Sequence, residues 1–115
     1  MNFGSSTAID GHIGFGAYVI AKEAIRGLTR IAAKEWGPDN IRVNVICPAG
    51  LTEATQAFAA SDPDAFEAAV QLMPMRRVGD PVADIGHFVA ALVSDDTAYL
   101  TGATMMLDGG QRLIN

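Results

Sequence analysis

A tyrosine and a lysine stand four residues apart within the segment SSTAIDGHIGFGAYVIAK, residues 5–22. On an α-helix, positions i and i+4 share one face, so the phenol of Tyr18 and the ammonium of Lys22 are expected side by side. A nearby positive charge favours the phenolate form, which makes a tyrosine a usable proton donor and acceptor near neutral pH. Ser5 and Ser6 precede this pair, and a hydroxyl from their loop could hold the oxygen of a carbonyl or alcohol. The spacing indicates acid–base chemistry on such an oxygen.

The pair by itself is a weak signal, because a tyrosine and a solvated lysine often share a helix face without any chemistry. Three further features occur in order: the spacing Ser-x12-Tyr-x3-Lys, the segment NIRVNVICPAG at 40–50, and the segment RRVGDPVADIGHFVAALVSDDTAYLTGATMMLDGG at 76–110. Together they resemble the catalytic signature, the strand with its proline turn, and the C-terminal end of the short-chain dehydrogenase/reductase family. The resemblance runs from Met1 to about Leu113, which is nearly the whole chain.

The resemblance implies a role for each of the residues that carry it. Tyr18 would exchange a proton with the substrate oxygen, Ser5 would steady that oxygen, and Lys22 would hold the ribose hydroxyls of the nicotinamide cofactor. Ser6 is an alternative to Ser5, which is preferred because it has the family's usual distance from the tyrosine. The implied reaction is hydride transfer between a small carbonyl or alcohol substrate and NAD or NADP, and no metal is expected.

The proline turn after the predicted strand is the second part of the implied cofactor site. In the family, the backbone just past this turn binds the nicotinamide carboxamide, and a threonine contacts a phosphate. The nearest matches are Pro48, Leu51 and Thr52, with Thr55 as a weaker one. Ala49 stands where the family usually has glycine, which is a departure from its pattern.

The family's glycine-rich phosphate loop belongs upstream of the part that this chain resembles, and no GxGxxG follows a strand here. Residues 1–115 are therefore predicted to be the C-terminal half of a short-chain dehydrogenase/reductase domain. We expect no measurable turnover from them alone. The alternative function is a truncated, non-catalytic remnant that acts only in assembly.

Periodicity and turn residues predict an α/β fold, a partial doubly wound, Rossmann-like parallel sheet with flanking helices. The predicted elements are the end of a strand at Met1–Gly4, a loop over 5–16, a helix at 17–36, a buried central strand at 41–47, one or two short helices over 53–75 with a cap at Asp62, a helix at 82–94 capped by Asp80, and a strand at 104–107.

Composition limits the remaining function classes. Eight basic against thirteen acidic residues give a formal charge of −5, which does not suit nucleic-acid binding. No run approaches the ~18 apolar residues of a membrane span. Cys47 is the only cysteine, which excludes an internal disulfide and favours the cytoplasm. Half of the residues are hydrophobic and the mean hydropathy is +0.22. This apolar surplus and the family resemblance predict a homo-oligomer, a dimer or tetramer.

Overall fold

The computed structural model describes residues 1–112, and a three-stranded parallel sheet lies at its centre. Its strands are β1 (Asn2–Phe3), β2 (Val45–Pro48) and β3 (Thr104–Leu107), in the spatial order β1-β2-β3. Asn2 pairs with Val45, which in turn pairs with Thr104. The side chains of Val45, Ile46 and Cys47 are fully buried, as the near-continuous apolar run of β2 predicts. The predicted parallel, Rossmann-like α/β arrangement with β2 in the centre is confirmed.

Strand β2 begins four residues later than predicted and includes Pro48. Residues 41–44 face the turn at 100–103, and their backbone is satisfied there by contacts outside a strand ladder. Val43 N–H donates to Thr101 Oγ1 at 3.0 Å, and the Asn44 side chain binds Leu100 O and Ala103 N–H at 2.8 and 3.0 Å. The predicted extended run is real, and Asn44 O and Val43 O accept from the backbone N–H groups of Asn2 and Gly102 at 2.8 and 2.7 Å, but the regular pairing with β3 starts only at Val45.

The long helix carrying the tyrosine and lysine, α2, spans Gly16–Trp36, within one residue of its prediction. It packs on β1 and β2 through its small residues, with Ala32 and Ala33 buried against Val43. The fully buried Thr29 hydroxyl donates to Ile25 O at 2.8 Å and accepts from the Asn2 side chain at 3.0 Å. These contacts fix the position of α2 relative to the sheet.

A short helix that the sequence did not predict, α1, spans Ser6–Asp10 and precedes α2. The predicted short helices over 53–75 are two, α3 (Glu53–Ser61) and α4 (Pro63–Gln71), and Asp62 caps the second through Ala65 N–H. Phe58 and Phe66 pack edge to face between them, with ring centroids 6.0 Å apart.

The predicted helix over 82–94 is present but irregular. Its first turn, Pro81–Gly86, is a π-helix, and α5 follows at His87–Leu92. Asp80 caps Val82 N–H at 2.8 Å as predicted, and the Asp84 carboxylate accepts from Asp80 N–H at 2.6 Å. Ile85 N–H reaches back five residues to Asp80 O at 3.3 Å, the wide turn of a π-helix. No helix of residues 1–112 is long and apolar enough to cross a lipid bilayer.

Candidate active site

A cleft of about 490 Å³ opens where β1 and β2 end. Parallel sheets place ligands beyond the carboxyl ends of their strands, where the following loops meet. The cleft collects residues from widely separated segments of the chain. Its lining comprises Phe3, Ser5, Ser6, Thr7, Tyr18, Pro48, Ala49, Gly50, Thr52, Thr55, Pro81, Ile85 and Gln111.

Ser5 enters the cleft directly after β1. Gly4 N–H donates to Ile46 O at 2.8 Å, which extends the strand pairing to the residue before the serine. Ser5 itself is extended, with φ −159° and ψ 136°, and it is the N-cap residue of α1. Its side chain makes no capping hydrogen bond, although it is only 8% exposed. Ser6, the alternative serine, lies in the first turn of α1 and lines the same cleft.

Tyr18 and Lys22 lie on one face of α2, as their spacing predicts. Lys22 Nζ is 5.7 Å from the centroid of the Tyr18 ring and donates to Phe3 O at 3.1 Å. The lysine therefore connects the tyrosine to the end of β1. Tyr18 is 43% exposed and lines the cleft, whereas Lys22 lies behind it and is not among the lining residues.

The turn after β2 forms the opposite wall. Leu51 N–H donates to Gly79 O at 2.9 Å, and Gly79 N–H donates to Ala49 O at 3.0 Å, which joins the turn to the loop before the π-helix. Thr52 caps α3, and its hydroxyl lies 3.0 Å from that of Thr55. The backbone N–H of Leu51 is thus already bonded, and this residue lies outside the cleft.

Three titrating groups near the cleft have shifted pKa values: the pKa values of Cys47 and Arg77 are raised, and the pKa of Asp84 is lowered. Burial beside Gly4 raises the pKa of the Cys47 thiol, although the nearby Arg26 guanidinium acts in the opposite direction. A neutral thiol suits a side chain that packs as a small apolar residue. The hydrogen bonds from Arg77 and from Asp80 N–H lower the pKa of Asp84 to about 2.

The structure brings Ser5, Tyr18, Pro48 and Thr52 to one cleft, with Lys22 behind Tyr18 and Leu51 outside. Of the apolar side chains over residues 53–75, none of Phe58, Phe66, Leu72 and Met73 lines it. Sequence reasoning missed Thr7, Ile85 and Gln111. The Asp-Gly-Gly end of β3 was a usable signal for Gln111, because a strand end beside β2 brings its following loop to the same edge.

Known proteins with this arrangement are numerous. The family model described as enoyl-(acyl carrier protein) reductase matches residues 1–112. A 12α-hydroxysteroid dehydrogenase from Clostridium sp. is 46% identical over 110 residues, which are 96% of this chain and 42% of that protein. The chain belongs to the short-chain dehydrogenase/reductase family. As expected from the resemblance, the match extends over nearly all of the sequence.

Solved structures of this family share the fold. Levodione reductase superposes with a TM-score of 0.84 at 35% identity, over 96% of this chain and 45% of that one. The RhlG/NADP active-site complex from Pseudomonas aeruginosa gives 0.83 at 34% identity, over 97% and 45%. This chain therefore spans less than half the length of these relatives. Because the relatives named here are oxidoreductases, the comparisons do not favour the alternative of a non-catalytic remnant.

Proposed function

We propose that the cleft carries out NAD(P)-dependent hydride transfer between a carbonyl and an alcohol, with Tyr18 as the acid and base. The observation that carries the proposal is the convergence of Ser5 and Tyr18 on one cleft, with the Lys22 ammonium behind the tyrosine ring. Membership of an oxidoreductase family supports it, as does the NADP complex of one relative. The cleft volume lies within the usual range for small-molecule sites.

The described residues fit the nicotinamide end of such a cofactor. Lys22 Nζ uses one N–H on Phe3 O, so two of its three donors remain for ribose hydroxyls. Pro48 and Thr52 line the adjoining wall, where the carboxamide end would lie, whereas Leu51 lies outside the cleft and its N–H is bonded to Gly79 O. When bound, the nicotinamide supplies or accepts the hydride, and the protein supplies position and charge.

Tyr18 donates its phenolic proton to the carbonyl oxygen in reduction and takes it back in oxidation. Lys22 stabilises the phenolate left after proton donation, because its ammonium lies close to the ring. Ser5 donates a hydrogen bond to the same substrate oxygen from the buried edge of the cleft. Its hydroxyl is available for this because it does not cap α1.

The test compares Tyr18→Phe with the parent chain, each supplied with the glycine-rich half of a relative, in assays with NADH and NADPH against a panel of ketones. Loss of the phenolic proton should lower kcat by about a hundredfold or more, with little change in unfolding free energy. Full activity of Tyr18→Phe would overturn the assignment. Ser5→Ala should chiefly lower kcat, and Ser6→Ala serves as its matched control.

We also propose that the chain works as a homo-oligomer, a dimer or tetramer, in the cytoplasm. The face of α2 turned away from the sheet exposes Ile20, Leu28 and Ile31 by 73%, 60% and 54%. An exposed apolar row of this kind favours contact with another protein surface. Light scattering on residues 1–115 tests this proposal, and a monomer at high concentration would refute it.

A further inference from the structure

We propose that Gln111 is a specificity-determining residue, whose carboxamide binds a second oxygen of the substrate, remote from the reacting carbonyl. Gln111 follows β3 and lines the same cleft as Ser5 and Tyr18, although it comes from the other end of the chain. The inference rests on the proposed function for the position of the reacting carbonyl.

The backbone around Gln111 is held firmly. Gln111 N–H donates to Asp108 O at 3.2 Å, and Gln111 O accepts from the Arg112 guanidinium at 3.0 Å. The Asp108 carboxylate, only 3% exposed, accepts from Gly110 N–H at 3.1 Å and from Arg112 N–H at 2.9 Å. The sharp turn also uses left-handed glycines, with Gly110 at φ 82°.

The same loop is fastened to the serine side of the cleft. The Arg112 guanidinium pairs with the carboxylate of Asp10, the last residue of α1. Since α1 begins at the serines, this ion pair holds the loop and the oxygen-binding side of the cleft together. Gln111 therefore lies in a loop that is bonded to both β3 and α1. Such rigid support suits a residue that discriminates between substrates.

The Gln111 carboxamide makes no hydrogen bond within residues 1–112. By contrast, the hydroxyls of Thr52 and Thr55 on the other wall are bonded to each other. Thr55 Oγ1 also donates to Gly50 O. A carboxamide offers one acceptor oxygen and two N–H donors, so it can bind a hydroxyl or a carbonyl. A site built for such a bond discriminates against an analogue lacking that oxygen.

The rest of the lining restricts the substrate class. No Asp, Glu, Lys or Arg lines the cleft among the described residues, and the Lys22 donors are assigned to the cofactor ribose, so a carboxylate or phosphate of the substrate would meet no compensating charge there. Phe3, Pro81 and Ile85 supply apolar surface. The structure thus assigns the cleft to a neutral ketone or alcohol with an apolar skeleton and a second hydroxyl or carbonyl.

The test uses two probes, a decalone and the same decalone carrying a hydroxyl on its far ring, titrated into 15N-labelled residues 1–115. The Gln111 side-chain NH₂ resonance should shift with the hydroxylated probe and not with the plain one. Gln111→Leu should weaken binding of the hydroxylated probe roughly threefold to tenfold, the loss of one neutral hydrogen bond. Binding of plain decalone should stay the same. Gln56→Leu, on the exposed surface of α3, is the matched control.

Each outcome either supports or contradicts the proposed role of Gln111. Equal weakening for both probes, an unmoved Gln111 resonance, or no binding of either probe overturns the inference. Selective binding without hydride transfer in the complemented enzyme would refute the proposed function and leave the role of Gln111 standing. Turnover of both ketones with no selective loss in Gln111→Leu would refute the role of Gln111 and leave the proposed function standing. Circular dichroism of the variant establishes that it is folded.

Discussion

The contact between Gly4 and Cys47 offers a sharp test of how β1 delivers Ser5 to the cleft. A Cβ added at Gly4 would lie 2.8 Å from Cys47 Sγ and 3.1 Å from Val45 Cγ2. Both neighbours are fully buried side chains of the central strand. Neither can withdraw into solvent, so Gly4→Ala must push β1 away from β2 or force a side chain off its rotamer.

Overpacking of this kind costs about 1–3 kcal/mol of unfolding free energy. The φ of Gly4 lies outside the left-handed region, so the cost comes from the contact and not from backbone strain. Gly16→Ala is the matched control, because nothing lies within 4 Å of its added Cβ at the start of α2. We expect that variant to be neutral or more stable by about 0.5–1 kcal/mol, since alanine restricts the unfolded chain.

Cys47→Ala completes a double-mutant cycle, because it removes the sulfur that the new methyl group would meet. Urea unfolding followed by the fluorescence of the single tryptophan, Trp36, gives all four free energies. The coupling should be favourable by about 1 kcal/mol or more, with some cost remaining from Val45. Additive effects, or a Gly4→Ala variant as stable as the parent, would refute the close approach of β1 to β2.

Three further outcomes follow from contacts elsewhere in the fold. The Arg42 guanidinium donates to Thr97 O, Leu92 O and Ser94 O among other acceptors at 3.0–3.4 Å. Arg42→Lys should therefore lower the unfolding free energy by about 2–3 kcal/mol. The control Arg30→Lys, at an exposed arginine, should change it little. The pKa of Asp84 is lowered from 3.8 to about 2, so its contribution to stability is present above pH 3.8 and disappears as the pH falls through about 2. In the variant Asp84→Asn, the urea midpoint should therefore change less with pH across that range than in the parent. Burial shields Cys47 and raises the pKa of its thiol, so iodoacetamide should alkylate it only through unfolded molecules, and fast labelling of the folded chain would contradict its burial.

Much of the fold could be predicted because local signals agreed with the tertiary arrangement. The apolar stripe of residues 17–36, the Gly37-Pro38 stop and the run of β-branched residues before Pro48 each have a single ready structural interpretation. The caps at Asp62 and Asp80 followed from side-chain chemistry alone. The Asp108 carboxylate binds loop amides, as its position before two glycines indicated.

Other features depended on contacts between distant segments. Helix α1 has five residues and no periodic pattern, so the sequence of residues 6–10 alone favours a loop. The late start of β2 reflects the turn at 100–103, more than fifty residues away. Neither of these is encoded in a short window of sequence.

In the candidate site, too, some features followed from local sequence and others only from the tertiary structure. The sequence by itself determined that Tyr18 and Lys22 share a face, because helical geometry fixes positions i and i+4, and the family motifs indicated Ser5. Only the tertiary structure decided that Leu51 faces away and that Gln111 enters the cleft beside the serines. Those placements follow from the parallel pairing of β1, β2 and β3, which brings the loops after three distant strands to one edge of the sheet.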